Sequence, residues 1–157
     1  MDKKYSNLPL RKGVGVVLLN SNNQIFVAKR IDNPKDFWQM PQGGIDVGED
    51  PLTAAFRELK EETSIKSVKL IKEINSEITY HLPENLLGII WKGKYKGQIQ
   101  KWFVMRFLGN DNEINLKTKH PEFLDWKWID IEDITTKVVD IKLHVYKKIQ
   151  HELKNLI

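Results

Sequence analysis

The sequence predicts one compact domain in which strands and helices mix, an α/β or α+β sandwich. The chain has 157 residues, which is enough for a single hydrophobic core. Hydrophobic residues make up 41% of it, an ordinary share for a globular domain. Short segments with strand character alternate with two segments of helical periodicity, and no repeat or linker interrupts them. We therefore expect a single domain over residues 1–157.

The predicted strands are short, and most are bounded by turn residues or glycine. They cover residues 13–20, 24–30, 68–74, 76–82, 98–108 and 123–129. In the last segment Leu124, Trp126 and Trp128 alternate with charged neighbours, which predicts a half-buried strand. Residues 31–44 carry two prolines and two glycines and are predicted to form a loop.

Two helices are predicted, over residues 51–63 and 139–156. Asp50 is a favourable N-cap for the first, and Pro51 suits its first position because the N–H that proline lacks has no helical partner there. The second helix has apolar residues at helical spacing on one face: Val139, Leu143, Tyr146, Ile149 and Leu153.

The composition narrows the class of protein. The chain has no cysteine, which excludes disulfides and thiolate chemistry and removes the commonest zinc ligand. No apolar run approaches the roughly 20 residues of a membrane-spanning helix, and residues 1–10 have no apolar signal core. We therefore expect a cytoplasmic location. The net charge of +4 favours anionic partners such as nucleotides or RNA.

The first helix carries an unusual concentration of negative charge. Glu58, Glu61 and Glu62 lie within about one turn, where like charges repel by a few tenths of a kcal/mol per pair. On a helical wheel the glutamates share one face, whereas a different stripe is predicted to pack into the core: Leu52, Ala55, Phe56 and Leu59.

Two interpretations of this acidic face are open. Glutamate is a good helix former, so the face can simply be solvated. Alternatively, clustered carboxylates suit Mg²⁺ or Mn²⁺, and the cation would link them to substrate phosphates. The loop before the helix fits the second interpretation, because Gly43, Gly44 and Gly48 permit close approach of the backbone to a ligand. Glu49 could reach either the helix N-terminus or the metal site.

The spacing in this region resembles the Nudix box, G-x5-E-x7-R-E-U-x-E-E-x-G-U, where U is a bulky aliphatic residue. Residues 43–65 match every fixed position except the last glycine, which is Ser64 here. Further segments resemble the RNA pyrophosphohydrolase and dinucleoside polyphosphate hydrolase branch of the Nudix family: residues 11–15, 37–46, 97–103 and 121–129.

The resemblance implies a Nudix-type α/β/α sandwich with a mixed β-sheet and a metal-dependent phosphoanhydride hydrolase. It implies a metal site, which we predict to comprise Gly43, Glu58, Glu61, Glu62 and Glu122. Arg57 matches the arginine that orients the glutamates, although it is also placed for an ordinary ion pair with Glu61. The general base is predicted to be Glu58 or Glu62, so the predicted catalytic residues are Arg57, Glu58 and Glu62.

Basic and amide side chains are predicted to bind the substrate. The predicted residues are Arg11, Lys29, Arg30, Gln42, Gln100 and Lys142. Each charged one could equally be an ordinary solvated residue. Ile141 stands where the branch has an aromatic residue. Residues 91–102 interleave lysines with aromatic residues, which indicates either an RNA groove with stacking platforms or, as we favour for the clustered lysines, an edge hairpin protected by lysine.

The predicted function is a Mg²⁺-dependent (or Mn²⁺-dependent) RNA 5′-pyrophosphohydrolase that converts 5′-triphosphorylated RNA to 5′-monophosphorylated RNA and so initiates mRNA decay. The basic balance and the basic-aromatic segment favour RNA. One alternative is a dinucleoside polyphosphate hydrolase acting on diadenosine tetra- or pentaphosphate. Others are a non-catalytic nucleotide- or RNA-binding Nudix module, and a basic structural protein with an exposed glutamate face.

Overall fold

A computed structural model describes residues 3–33 and 35–156. Pro34, one of the prolines in the predicted loop, lies outside these residues. The described strands are β1 (Leu10–Leu19), β2 (Ile25–Arg30), β3 (Gln42–Gly44), β4 (Val68–Glu73), β5 (Ile78–His81), β6 (Gly97–Phe107) and β7 (Phe123–Ile129). The described α-helices are α1 (Lys3–Ser6), α2 (Pro51–Thr63) and α3 (Leu143–Leu156).

All of these strands belong to one mixed sheet with the order β4-β6-β1-β2-β7. β1 and β6 run parallel and in register from Leu10 opposite Gly97 to Leu19 opposite Arg106. The other pairings are antiparallel, with β3 on the first half of β1 and β5 on the start of β6. The loops and strand ends around Gly13, Gln42 and Gln98 are thereby brought together, and the cavity described below lies there.

The sheet has a hydrophobic core on each face. One core packs against α3 and includes Trp102, Tyr146, Ile149 and Leu153. The other packs against α2 and includes Phe26, Ala55, Leu59 and Phe103. The predicted α/β/α sandwich with a mixed sheet is therefore confirmed. None of the helices in the described residues is long and apolar enough to cross a membrane.

Helix α2 begins and ends where its sequence predicts. The Asp50 carboxylate accepts hydrogen bonds from the N–H groups of Leu52 and Thr53, at 3.1 and 3.3 Å. Ser64 ends the helix in the left-handed conformation, with φ 66° and ψ 5°. Its hydroxyl donates to the carbonyl of Asn115 at 2.8 Å, so a serine occupies the turn that glycine usually makes.

The buried face of α2 differs from the predicted stripe. Phe56 is 36% exposed, whereas Ala54 and Glu62 are buried. Glu62 follows Ala55 by seven residues, which is close to two full turns, so the two side chains lie on the same side of the helix. The acidic face therefore reaches into the core at Glu62 instead of staying apart from it.

Two predicted segments begin or pack differently in the structure. The last helix begins at Leu143, not Val139, because Val139 is extended and residues 140–142 form a tighter 3₁₀ turn that buries Lys142. The predicted loop 31–44 contains β3, which pairs with Gly13–Gly15 of β1.

Leu124 is 66% exposed, contrary to the prediction. The pairing of β2 with β7 shifts between Lys29 and Arg30, which face Asp125 and Phe123 respectively. Leu124 is thus the extra residue of a β-bulge, and Phe123 takes the buried position.

The lysine-rich segment, residues 91–102, also differs from its prediction. Residues 90–93 form a 3₁₀ turn with left-handed Trp91 and Lys92, and strand β6 starts only at Gly97. The clustered lysines therefore do not share a strand face. The prediction that residues 91–96 form a strand was therefore wrong.

Candidate active site

A cavity of about 520 Å³ opens beside the second half of α2. Its lining combines three kinds of side chain that phosphate chemistry uses. They are the acids Glu58, Glu62 and Glu122, the cations Arg11, Arg30 and Lys142, and the neutral polar and aromatic residues Gln39, Gln42, Gln98, Tyr80 and Trp91.

Arg57 of α2 is the centre of a hydrogen-bond network that joins the helix to the loop before it. Its guanidinium donates to both oxygens of Glu49, at 2.8 and 2.9 Å, and to the carbonyl of Gly44 at 3.0 Å. Its Nη1 donates to Glu58 at 2.9 Å and to Glu61 at 3.1 Å. The predicted Arg57–Glu61 pair is present, and Glu49 contacts Arg57 and the Asp46 N–H. Glu49 therefore braces Arg57.

The network sets the protonation of its own members. Hydrogen bonding to Arg57 lowers the pKa of Glu49 to about 2. The same bonds hold the pKa of Arg57 above its ordinary value. Arg57 is therefore a permanent cation that holds Glu58 and Glu61 in place.

Gly43 lets the Glu58 carboxylate lie against the backbone of β3. A Cβ at residue 43 would lie 2.1 Å from Glu58 Cδ, so any side chain there would displace the carboxylate. The Gly43 backbone and the Glu58 carboxylate are therefore close neighbours.

Glu62 is the most constrained of the acids. Its side chain is 4% exposed, and its Oε2 atom has no hydrogen-bond partner among the described residues. Burial, followed by the neighbouring charges of Glu122 and Glu58, raises its pKa well above the ordinary value. Burial also raises the pKa of Glu58. Glu62 is buried and Glu58 is half-buried, and both have raised pKa values, so the two carboxylates require a compensating cation to ionise together.

The donor set fits a hard divalent cation. Every candidate ligand is a carboxylate or carbonyl oxygen, the type that Mg²⁺ and Mn²⁺ prefer. Glu122 lies across from the helix, with its carboxylate 3.9 Å from Arg30 and its carbonyl accepting from the Ile31 N–H. Across the described residues, no three Asp, Glu or His side chains already converge on one metal position. Arg57 joins Glu58 to Glu61 instead, so part of the coordination must come from elsewhere, as substrate phosphates provide for Mg²⁺.

The cations of the cavity are oriented before any substrate binds. Arg30 forms a bidentate pair with Asp32, at 2.8 and 2.9 Å, which raises the pKa of Arg30. Lys142 is buried, its Nζ lies 3.4 Å from Gln39 Oε1, and burial lowers its pKa to about 8. A buried ammonium group with one neutral neighbour is well suited to receive an anion.

Of the other predicted binding residues, Gln42 lines the cavity, whereas Lys29 and Gln100 do not. Gln100 is fully buried behind Gln42 and donates to it at 3.0 Å. Lys29 lies apart from the lining and is 3.9 Å from Asp36, because neighbouring residues of a strand point to opposite faces.

Several lining residues were not among the predicted site residues, and Gln98, Tyr80 and Trp91 are three of them. Gln98 and Gln100 share a face of β6, so the same strand period that pointed to one could have pointed to the other. Tyr80 and Trp91 come from elements whose pairing the sequence does not show.

A second cavity of about 810 Å³ lies on the other side of the acids. Glu58, Glu62 and Glu122 line both cavities. The second also contains Lys60, Lys66, Lys119 and His120. The acidic group is thus flanked by basic residues on both sides, which suits a substrate with phosphates on either side of the reacting bond.

An α/β/α sandwich with an acidic cluster between two cavities that contain basic residues defines a phosphate-processing protein of the divalent-metal class. Residues 9–149 match the family model described as NUDIX domain. A relative named RNA pyrophosphohydrolase from Pelagibacter ubique is 70% identical over 157 residues, covering 100% of this chain and 99% of the relative. A relative of the same name from Rhodospirillum rubrum is 49% identical over 148 residues, covering 94% and 89%. The chain belongs to the Nudix hydrolase family.

Solved structures share the fold. A C. elegans Ap4A hydrolase in a binary complex superposes with a TM-score of 0.67 at 22% identity, covering 93% of this chain and 99% of that one. An E. coli dihydroneopterin triphosphate pyrophosphohydrolase has a TM-score of 0.70 at 21% identity, covering 92% and 99%. At these identities the likeness concerns the fold alone.

Proposed function

We propose that this protein is a Mg²⁺-dependent RNA 5′-pyrophosphohydrolase that converts 5′-triphosphorylated RNA to 5′-monophosphorylated RNA and so initiates mRNA decay. The observation that carries the proposal is the acidic cluster of Glu58, buried Glu62 and Glu122, which is shared by two cavities that basic residues line. The relatives named RNA pyrophosphohydrolase support RNA as the substrate class.

Glu58, Glu61, Glu62 and Glu122, with the Gly43 backbone, would hold the cation in this proposal. Family members generally use divalent metal ions. A bound Mg²⁺ would lower the pKa of a water molecule and neutralise charge on the phosphates. Mn²⁺ has similar ligand preferences and is the alternative ion.

The protein side chains have separate roles in the proposed reaction. Glu58 or Glu62 takes the proton of the attacking water, because raised pKa values keep these carboxylates basic enough to accept it near neutral pH. Arg57 positions Glu58 through its 2.9 Å hydrogen bond. Arg11, Arg30 and Lys142 bind the substrate phosphates and stabilise the charge that develops on the leaving group.

Two of the predicted binding residues have different positions in this scheme. Gln42 contacts substrate directly from the cavity wall, whereas Gln100 supports Gln42 from behind. Lys29 has no part in the proposal, because it does not line the cavity. The proposal further treats residues 1–157 as one domain acting in the cytoplasm, where mRNA decay occurs.

The nearest alternative is a dinucleoside polyphosphate hydrolase. The C. elegans fold neighbour is named an Ap4A hydrolase, and two cavities flanking one acidic cluster would also accommodate a substrate with two nucleosides. The alternatives without catalysis explain less, because a binding module has no need for a buried glutamate with an unpartnered oxygen.

The test compares kcat/KM for 5′-triphosphorylated RNA and for diadenosine tetraphosphate at one Mg²⁺ concentration. We expect the RNA to be preferred, with 5′-monophosphate ends as product. The Glu61→Gln/Glu62→Gln double variant should fold and turn over neither substrate. Preference for diadenosine tetraphosphate would replace the proposal with its alternative, and absence of both activities in the wild type would refute hydrolysis of either substrate.

A further inference from the structure

Gln98 presents a hydrogen-bond donor to the cavity that no described residue uses. The side chain is fully buried, yet its Nε2 atom has no partner within the described part of the chain. Its Oε1 accepts a 2.9 Å hydrogen bond from the Tyr80 hydroxyl, which orients the amide so that its N–H₂ group is left free. Burying an unsatisfied amide is unfavourable, so a ligand atom that accepts from it would remove a cost of the free protein.

The backbone opposite Gln98 is shaped to make room for this amide. Gln98 on β6 pairs with Arg11 on β1, close to Gly13. A Cβ on residue 13 would lie 1.8 Å from Gln98 Nε2 and would push the amide away. Glycine at residue 13 therefore allows the free donor to lie where it does.

Trp91 supplies an aromatic wall to the same cavity. The Arg11 guanidinium lies 5.3 Å from the centroid of its ring. Both Trp91 and Lys92 adopt the left-handed conformation, at φ 53° and 59°, which is unfavourable for residues with a side chain. The segment is anchored at its end, where Lys96 donates from its N–H to the Pro9 carbonyl and accepts from the Leu82 N–H.

The other walls around Trp91 are apolar. Leu82, Ile90 and Ile141 line the cavity with it. The cations suited to phosphates are Arg30 and Lys142. A neutral amide donor that shares a cavity with an indole and aliphatic side chains is a better match for a flat, neutral ring that carries acceptor atoms.

We propose that Trp91 and Gln98 form a nucleobase subsite, in which a base of the substrate packs against the Trp91 indole and accepts a hydrogen bond from Gln98 Nε2. This inference rests on the proposed function, because it takes the cavity to bind a nucleotide. Stacking on Trp91 tolerates any base, whereas the Gln98 donor favours a carbonyl or ring-nitrogen acceptor. Arg11 links the two ends, since it contacts the indole and lines the cavity with the phosphate-binding cations.

Equilibrium binding tests the subsite without turnover. Isothermal titration calorimetry, which does not depend on the Trp91 fluorophore, measures the affinities in EDTA for guanosine 5′-monophosphate and for ribose 5-phosphate, which lacks only the base. The wild type should bind the nucleotide at least tenfold more tightly. Trp91→Leu and Gln98→Met should each reduce that ratio at least fivefold, with ribose 5-phosphate affinity unchanged, and Trp91→Phe should largely retain it.

Quenching of intrinsic tryptophan fluorescence by guanosine 5′-monophosphate is a second readout with a matched control. Trp126 packs against Phe26 on the opposite side of the sheet from α3, so Trp126→Phe should keep the quenching that Trp91→Phe loses. Equal wild-type affinity for both probes, or an unchanged ratio in the Trp91→Leu protein, would overturn the subsite. If Gln98→Met fails to fold, the Trp91 variants still decide the outcome.

The two proposals fail separately. Base-dependent binding without conversion of RNA would refute the proposed function and keep the subsite. Conversion of RNA with equal affinity for the two probes would refute the subsite and leave the proposed function intact.

Discussion

Replacing Glu62 by glutamine should make the protein more stable and almost inactive. The carboxylate is 4% exposed, one oxygen has no partner among the described residues, and Glu58 and Glu122 are nearby negative charges. An unsatisfied buried polar group costs about 1–3 kcal/mol. Glutamine keeps the shape, removes the charge and can donate to Glu122. We expect Glu62→Gln to gain about 1–2 kcal/mol, which raises the Tm of a domain of this size by roughly 2–8 °C.

The gain in stability from Glu62→Gln should increase with pH. Because the folded-state pKa of Glu62 is raised above its ordinary value of 4.5, the native protein binds more protons than the unfolded chain between those two values. Wild-type stability therefore falls as pH rises through this window, and the variant does not share that fall. The stability difference should vanish below about pH 4.5, widen as pH rises, and become constant above the folded-state pKa.

Thermal unfolding in EDTA, followed by circular dichroism across this pH range, measures the difference. Mg²⁺ should narrow it, because the wild-type protein gains metal-binding energy that the variant loses. Turnover of RNA should fall at least about 100-fold, the usual lower limit for losing a general base. Glu61→Gln is the matched control: Glu61 is 59% exposed and paired with Arg57, so its loss should cost about 0–1 kcal/mol. A Glu62→Gln protein less stable than the wild type would refute the reasoning.

Three further predictions follow from the site. Arg57→Lys should lower kcat at least tenfold, because lysine cannot form the paired hydrogen bonds to Glu49 while holding Glu58. Steady-state kinetics at saturating RNA measures kcat, and an unchanged value would contradict the positioning role of Arg57. Because the pKa of Lys142 is about 8, its charge is lost as pH rises above 8. The ratio of wild-type kcat/KM to that of Lys142→Arg should therefore fall by up to tenfold per pH unit above pH 8. A ratio that does not change with pH would exclude Lys142 from phosphate binding. Ser64→Gly should be about 1 kcal/mol more stable in urea unfolding than Ser64→Ala, because residue 64 is left-handed, and equal stabilities would argue against that conformation.

Local chemistry made much of the fold predictable. The Asp50 cap and Pro51 determine where α2 begins, and alternation with turn residues located most strands to within two or three residues. The spacing of Arg57 and the glutamates identified the acidic cluster, because that pattern depends on residues of a single helix.

Features that depend on pairing between distant segments were not predictable. The bulge that exposes Leu124 arises from the register of β2 against β7. Gln98 looks like a surface residue in sequence, but it is buried because β1 and β5 flank β6 on both sides. Trp91 reaches the cavity through two consecutive left-handed residues, a conformation that no local sequence preference indicates.

The acidic cluster as a metal-dependent catalytic centre is tested most directly by single-turnover conversion of RNA labelled at its 5′ α-phosphate. The enzyme is held in excess, and the 5′ end of the RNA is analysed with Mg²⁺, with EDTA, and with the Glu61→Gln/Glu62→Gln protein. The account predicts 5′-monophosphorylated RNA with the wild type and Mg²⁺ only. Equal conversion in EDTA, or by the double variant, would show that the glutamates of α2 do not carry the reaction.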